Sequence, residues 1–200
     1  MNKVITIGRE FGSGGREFGR RLAERLGYQY YDKEIIVEIA KKTQLSEGYV
    51  DQVLEQKPTQ LIPITYGHSI YVNDAYQMRQ VQSVYQAQCE ILKSLVEKGN
   101  CVIVGRCADY ILRNYNPFRI FVYADIESRV ARCISRKTKD ENYTEKEFKK
   151  IIKKIDKNRA KYYDFYTGQV WGDKSNYDLC INTTNAVIKE IVPVIAKIFE

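Results

Sequence analysis

The stretch Lys3-Val4-Ile5-Thr6-Ile7-Gly8-Arg9-Glu10-Phe11-Gly12-Ser13-Gly14-Gly15-Arg16-Glu17 decides how this chain is read. Its first half, through Gly8, is a short, β-rich apolar run ended by glycine, the pattern of a buried strand. Three glycines and a serine then crowd positions 12–15. From Arg16 to Leu26 the pattern turns helical, with Phe18, Leu22, Ala23 and Leu26 on one face and Gly27 placed to end the helix. Strand, glycine-rich turn and helix in that order make an anion cradle. Glycine lets backbone N–H groups converge on phosphate oxygens, and the helix N-terminus adds partial positive charge.

The side chains depart from the usual phosphate loop. Setting Gly15-Arg16-Glu17 on the common Gly-Lys-Ser/Thr places Glu10 at the first glycine, Arg16 at the lysine and Glu17 at the hydroxyl that takes Mg²⁺. Arginine still grips phosphate oxygens, in a bidentate fork. Glu17 either binds a hard cation or is an ordinary acid in a first helical turn. A tight turn that holds no ligand is the plain alternative.

Working outward, strands alternate with helices. Tyr28 to Asp32 reads as a second strand, followed by helical periodicity at Ile35, Ile36, Ile39 and Ala40 that resumes weakly after Ser46. Residues 57–73, with two of the four prolines, read as irregular. A long glutamine-rich helix from about Val72 to Lys98 precedes a clear strand at Cys101 to Gly105 and another at Phe118 to Tyr123. Asp125 offers an N-cap to a helix running through Arg136. Thr144-Glu145-Lys146-Glu147 has capping-box spacing and opens a long helix to about Tyr166, with Gly168 beyond its end. A last strand, Tyr177 to Asn182, and a helix from about Asn185 to Phe199 close the chain. The expectation is one α/β domain over residues 1–200, with a mainly parallel sheet flanked by helices on both faces.

Composition narrows the function. With 200 residues, 44% apolar and 28% charged, the chain has the balance of a globular domain with a real core. No apolar run approaches the roughly 20 residues that cross a bilayer, and the first residues lack a signal peptide's pattern, so a cytoplasmic protein is expected. Five dispersed cysteines suit reduced thiols, and the lone His68, read as a loop residue, has no nearby Cys to build a zinc set. The net charge of +7 falls into two clusters, Arg16 to Arg25 and Arg129 to Lys161, the second diluted by acids. That distribution argues for a phosphate clamp over a nucleic-acid face.

The motifs Ile7 to Glu17, Tyr31-Asp32-Lys33-Glu34, Val104-Gly105-Arg106-Cys107-Ala108-Asp109, Lys154-Ile155-Asp156-Lys157-Asn158-Arg159 and Trp171 to Leu179 resemble the cytidylate kinase-like family. The resemblance runs from Val4 to about Asn185, with the motifs in order. It implies a three-layer P-loop fold with a five-stranded sheet, a nucleoside-monophosphate-binding helical insertion (about 33–98) and a lid (about 132–160). It further implies ATP and Mg²⁺ as cofactors and a small phosphorylated acceptor as substrate. By the same resemblance Gly12, Ser13, Gly14, Gly15 and Arg16 form the phosphate loop, and Arg106 faces the acceptor phosphate. Arg159 then reaches the transferring phosphates, and Asp156 positions it or the acceptor. Where the family's cytidylate kinases carry an aspartate before that Gly-Arg step, this chain has Val104, which leaves Glu17, Asp109 or no residue at all as the metal carboxylate.

Independent physics points to the same elements. Arg132 and Arg136 lie four apart on one helical face, and Asp156 and Arg159 three apart on another, across the polar segment 137–142. Two such helices make a lid with inward arginines. The plain readings are a surface Asp156–Arg159 pair and solvated Arg132, Arg136 and Arg79. Tyr162, Tyr163, Phe165 and Tyr166 form an aromatic stripe better suited to packing than to stacking on a base. Three functions remain open: a small-molecule kinase, a nucleotide-binding regulatory protein without transfer chemistry, and, on net charge alone, a nucleic-acid-binding module. The glutamine-rich helix offers a surface for a homodimer or a cover for the acceptor site.

Overall fold

A computed structural model describes residues 2–55, 72–136 and 143–200. The stretch 57–71 with His68, and the segment 137–142 between the two helices expected to form a lid, lie outside the described residues. Five strands, β1 (Val4–Arg9), β2 (Gln29–Tyr31), β3 (Cys101–Val104), β4 (Phe118–Tyr123) and β5 (Leu179–Asn182), form one sheet in the order β2-β3-β1-β4-β5. Every pairing is parallel. The central strands β1 and β3 are buried on both faces, which is why they read as unbroken apolar runs rather than alternating ones.

Alternate strand residues serve two cores. Ile5, Ile7, Val102, Val104, Ile120 and Val122 face α1 (Gly15–Leu26) and α8 (Ile188–Ala196). Val4, Cys101 and Ile103 face the other layer. That layer holds α2 (Glu34–Thr43), α3 (Glu47–Glu55), α4 (Val72–Glu97) and the short α5 (Ala108–Ile111). Two further helices, α6 (Ile126–Arg136) and α7 (Glu145–Thr167), lie between β4 and β5 in sequence. They meet through Val130, Phe148 and Ile152, with Phe11 packed against them.

Helix boundaries follow local chemistry. The Thr144 hydroxyl accepts from the Glu147 amide while Glu147 reaches back to the Thr144 amide, completing the expected capping box. Gly27 and Gly168 take the left-handed conformation that ends α1 and α7. The last two elements are shorter than expected. A 3₁₀ turn over Lys174–Asn176 delays β5, and side-chain bonds among Asn182 and Thr184 hold the following turn, so α8 begins at Ile188. The buried face of α4 (Val84, Ala87, Leu92) is covered by its own chain. Tyr162 and Tyr163 are buried and Tyr166 stacks on Tyr85, so the aromatic stripe packs, as expected.

The parallel sheet brings the carboxyl ends of β1, β3 and β4 to one edge, where ligands of such sheets bind.

Candidate active site

The glycine-rich loop starts where β1 leaves the sheet. Its shape is set by Gly12 and Gly14, both at positive φ, and by close packing: a Cβ on Gly12 would lie 3.0 Å from the Arg129 carbonyl. Ser13 is fully buried, its hydroxyl donating to the Glu10 carbonyl and accepting from the Gly15 amide. Thr183, at the end of β5, donates its hydroxyl to the Ser13 carbonyl at 2.7 Å. The first amide of α1 known to be engaged by the helix ladder is Phe18, bonded to Gly14. Arg16 and Glu17 precede it, and first-turn amides have no partner within their own helix.

Two side chains hold the loop from outside. Asp156 on α7 accepts from the Phe11 amide at 2.8 Å and pairs with Arg129 of α6. Arg129, itself buried, also pairs with Glu10 at 2.7 Å, and Glu10 accepts from the Ala124 amide beyond β4. Burial raises the Asp156 pKa, against the Phe11 hydrogen bond and Arg129. Glu10, standing where a phosphate loop has glycine, is thus an anchor for the loop. Asp156 ties α7 to the loop.

The loop floors a cleft of about 510 Å³. Gly12, Gly14 and Gly15 lie at its base with Arg9, Arg16, Arg132, Arg136 and Arg159, and Phe11, Tyr143, Phe148 and Ile151 supply an apolar wall. Arg159 donates to the Arg9 carbonyl at 3.5 Å and lies over the Phe11 ring, 5.6 Å from its centroid. Arg132 reaches the Thr183 carbonyl, and burial, then Arg136, lower its pKa. Arg136 pairs with Glu17. Arg16 turns to Asp32, at the end of β2, and its side chain is 52% exposed.

A second, smaller cavity of about 40 Å³ opens beside Gly8 and the turn after β3. Gly105, Arg106 and Cys107 are all at positive φ, a left-handed turn with only one glycine in it. Its outcome is to bury the Arg106 guanidinium, which pairs with Asp51 of α3 at 3.0 Å, while Gln88 of α4 donates to the Arg106 carbonyl. The Arg106 Nε is buried without a hydrogen-bond partner. Asp109, Tyr162, Tyr163, Trp171 and Tyr177 complete the walls. Burial raises the Asp109 pKa despite a 2.6 Å hydrogen bond from the Tyr163 hydroxyl, and burial with the nearby Asp109 pushes the Tyr163 hydroxyl well up.

The structure therefore brings Gly12, Gly14, Gly15, Arg16, Arg132, Arg136 and Arg159 to one cleft and Arg106 and Asp109 to its neighbour. It does not bring Glu17 and Asp109 together. Glu17, whose pKa falls under hydrogen bonds from Arg21 and Arg136 that outweigh its desolvation, lines a separate charged groove with Asp32. Among the described residues, no three His, Cys, Asp or Glu side chains cluster to hold a metal. Neither Glu17, paired with two arginines, nor the buried Asp109 offers a free carboxylate for Mg²⁺ here. Arg79 is exposed on α4. Sequence reasoning missed Arg9, Asp32, Asp51, Arg129 and Thr183. The available signal was Glu10: a carboxylate inside an anion-binding loop demands a cation to neutralise it.

Known proteins share this architecture. Cytidylate kinase from Thermococcus kodakarensis is 26% identical over 183 residues, 91% of this chain and 80% of that one. Cytidylate kinase from Thermoplasma acidophilum is 27% identical over 196 residues, 96% and 90% of the two chains. The crystal structure of an uncharacterized protein from Eubacterium ventriosum matches with a TM-score of 0.70 at 30% identity, covering 98% of this chain and 97% of that one. Shikimate kinase from Bacteroides thetaiotaomicron, at 13% identity, matches with a TM-score of 0.58 over 100% and 99% of the two chains. That distant likeness speaks for the fold alone, the P-loop NTPase fold. The cytidylate kinase-like family matches residues 4–185, and the chain belongs to it.

Proposed function

We propose that this protein is an ATP-dependent phosphotransferase that moves the γ-phosphate of ATP, bound with Mg²⁺, to a nucleoside monophosphate or a related small phosphorylated acceptor. The observation that carries this is the pair of adjoining cavities: a glycine-floored cleft and a smaller pocket rich in arginine share Arg9 and Arg159 in their walls. In this reading the cleft takes the triphosphate and the pocket takes the acceptor's phosphate. An acceptor phosphate oxygen bonds to the γ-phosphorus while the bond to the β–γ bridging oxygen breaks, leaving its electron pair on ADP. A phosphate nucleophile needs no base, so the protein's part is positioning and charge stabilisation.

Gly12, Ser13, Gly14 and Gly15 present the loop backbone, and Arg16, Arg106 and Arg159 stabilise the transferring charge. Arg132 and Arg136 approach the donor phosphates from the lid-like segment 132–160, and the helical insertion 33–98 bears on the acceptor through Asp51. Mg²⁺ would enter chiefly on the nucleotide's phosphates and water, as this ion commonly does, and would neutralise phosphate charge there. Five free cysteines fit a reducing compartment, and we place the protein in the cytoplasm. The test is ATP consumption with each nucleoside monophosphate in turn. Turnover with at least one is expected, and none with any sinks the nucleotide-kinase reading.

The engagement of Arg16 by Asp32 and of Glu17 by Arg21 and Arg136 favours a second reading, a regulatory protein that binds nucleotide without transfer. It requires that ATP raise the melting temperature without Mg²⁺ dependence or turnover. Gain of turnover in Arg16→Lys with Glu17→Ser would favour it further.

A further inference from the structure

Arg9 ends β1 and is only 9% exposed, although it carries a full charge. Two glycines make room for it. A Cβ on Gly105 would lie 1.6 Å from the Arg9 Nη1, and a Cβ on Gly15 would lie 2.5 Å from the Arg9 Cβ. The guanidinium is therefore seated between the loop after β1 and the turn after β3, and it lines both cavities.

Its compensation by carboxylate is thin. Asp32 stands 3.9 Å away, and the same carboxylate is held more closely by Arg16. Burial first, then Arg159 and Arg106, push the Arg9 pKa down to about 9. A guanidinium still charged at neutral pH, desolvated and placed among other cations, is short of an anion. On the kinase reading, phosphate oxygens are the anion brought to the two cavities, and a guanidinium meets them in a bidentate fork.

Arg16 differs in each respect. It occupies the loop's lysine position, yet its side chain is half exposed and bound to Asp32. We propose that Arg9 is the bridging cation of the transfer site, contacting the phosphoryl group between cleft and pocket in the role that the loop lysine has elsewhere. This rests on the kinase reading above. Arg9 forms no covalent bond and moves no proton; its contribution is charge and geometry.

The test separates the two claims by using inorganic pyrophosphate, which needs no turnover. Pyrophosphate should raise the melting temperature of the wild-type protein, and Arg9→Met should weaken its binding at least about tenfold. With the best nucleoside monophosphate, Arg9→Lys should lower kcat by roughly 100-fold, the scale of losing one positioned donor, and move KM for ATP by less than about threefold. Gly105→Ala, which displaces the guanidinium without altering Arg9, should weaken pyrophosphate binding as Arg9→Met does.

If those variants do not fold, Asp32→Asn made in an Arg16→Met background reads the same cation from the other side. Pyrophosphate binding that tightens supports Arg9, because the competing carboxylate is gone and Arg16 is absent. Unchanged or weaker binding overturns it. Arg9→Met that binds pyrophosphate as the wild type does and keeps kcat within about threefold also overturns it, leaving the kinase reading intact. Wild-type binding that depends on Arg9, with no transfer to any nucleoside monophosphate, upholds Arg9 as the anion contact and defeats the kinase reading.

Discussion

The turns after β1 and β3 sit side by side at the same edge of the sheet and solve opposite problems. The first strings Gly12, Gly14 and Gly15 together along a cleft of about 510 Å³. The second has one glycine and holds Arg106 and Cys107 at φ 62° and 50°, conformations that non-glycine residues seldom adopt. Strain of that kind, of order 1–3 kcal/mol per residue, persists only where surrounding structure fixes it. Here it buries one guanidinium in a pocket of about 40 Å³. On the proposed function the difference teaches a division of labour: the glycine turn would bind through its backbone and leave room for a large ligand, while the strained turn delivers one side chain to one place.

The sharpest way to break that division is to add a single methyl to the glycine turn. In Gly15→Ala the new Cβ would meet Arg9 Cβ at 2.5 Å and Val122 Cβ at 3.2 Å, neither of which is a flexible side-chain end. Overpacking should destabilise the fold by about 1–3 kcal/mol. The displaced loop should also weaken ATP binding by about 100-fold, because backbone donors lose their geometry together. Urea unfolding and calorimetric titration check both parts. ATP affinity within about threefold of wild type would mean the backbone does not form the cradle.

A smaller effect is expected where the loop is held from outside. Asp156→Asn removes one of the two carboxylates on buried Arg129, leaving Glu10. Losing a partner of a buried charge costs about 3–5 kcal/mol when nothing remains; with Glu10 in place about 2 kcal/mol is expected. The Asn Oδ1 still accepts from Phe11, so the loop should hold its shape and ATP affinity should fall less than in Gly15→Ala. Denaturant midpoints alongside ATP titration test this. A larger loss of ATP affinity than in Gly15→Ala would place Asp156 on the ligand itself.

The legible and illegible parts of the molecule divide on sequence distance. β1, the loop and α1 were readable because apolar run, glycines and helical face are contiguous. α7 was readable at both ends because a capping box and a C-terminal glycine are local signals. Arg132 and Arg136 were placed on one face by spacing alone, and that face does meet the loop. Arg9 was not legible. It reads as a charged residue at the end of an apolar run, and its seat needs the missing side chain of Gly105, far off in sequence. The Arg129–Glu10–Asp156 cluster joins three elements and leaves no periodic trace. Asp109 and Glu17 looked alike as spare carboxylates, and only packing separates them, one against a tyrosine and one between two arginines.

The second turn offers the subtlest test, through pH. Burial raises the Asp109 pKa above the usual carboxylate value, against the Tyr163 hydrogen bond. A raised folded-state value means the neutral form is favoured by folding. Its stabilisation is full below the unfolded value near 3.9 and is lost as pH rises through the folded value. Asparagine keeps an oxygen for Tyr163 and does not titrate. Asp109→Asn should therefore gain stability relative to wild type as pH climbs from about 3.5 to 7, and the gap should level off above the folded value. Asp178 supplies the opposite sign. Hydrogen bonds from Arg119 hold its carboxyl below the usual value, so its stabilisation is present above the unfolded value and is lost as pH falls. Asp178→Asn should accordingly lose ground to wild type over the same rise in pH, less steeply because the pair is partly exposed. Melting curves across that range read both variants at once. A gap that stays constant with pH in Asp109→Asn would mean the pocket beside the strained turn is wet enough to hold a charged carboxylate, and the contrast between the two turns would narrow to their backbones.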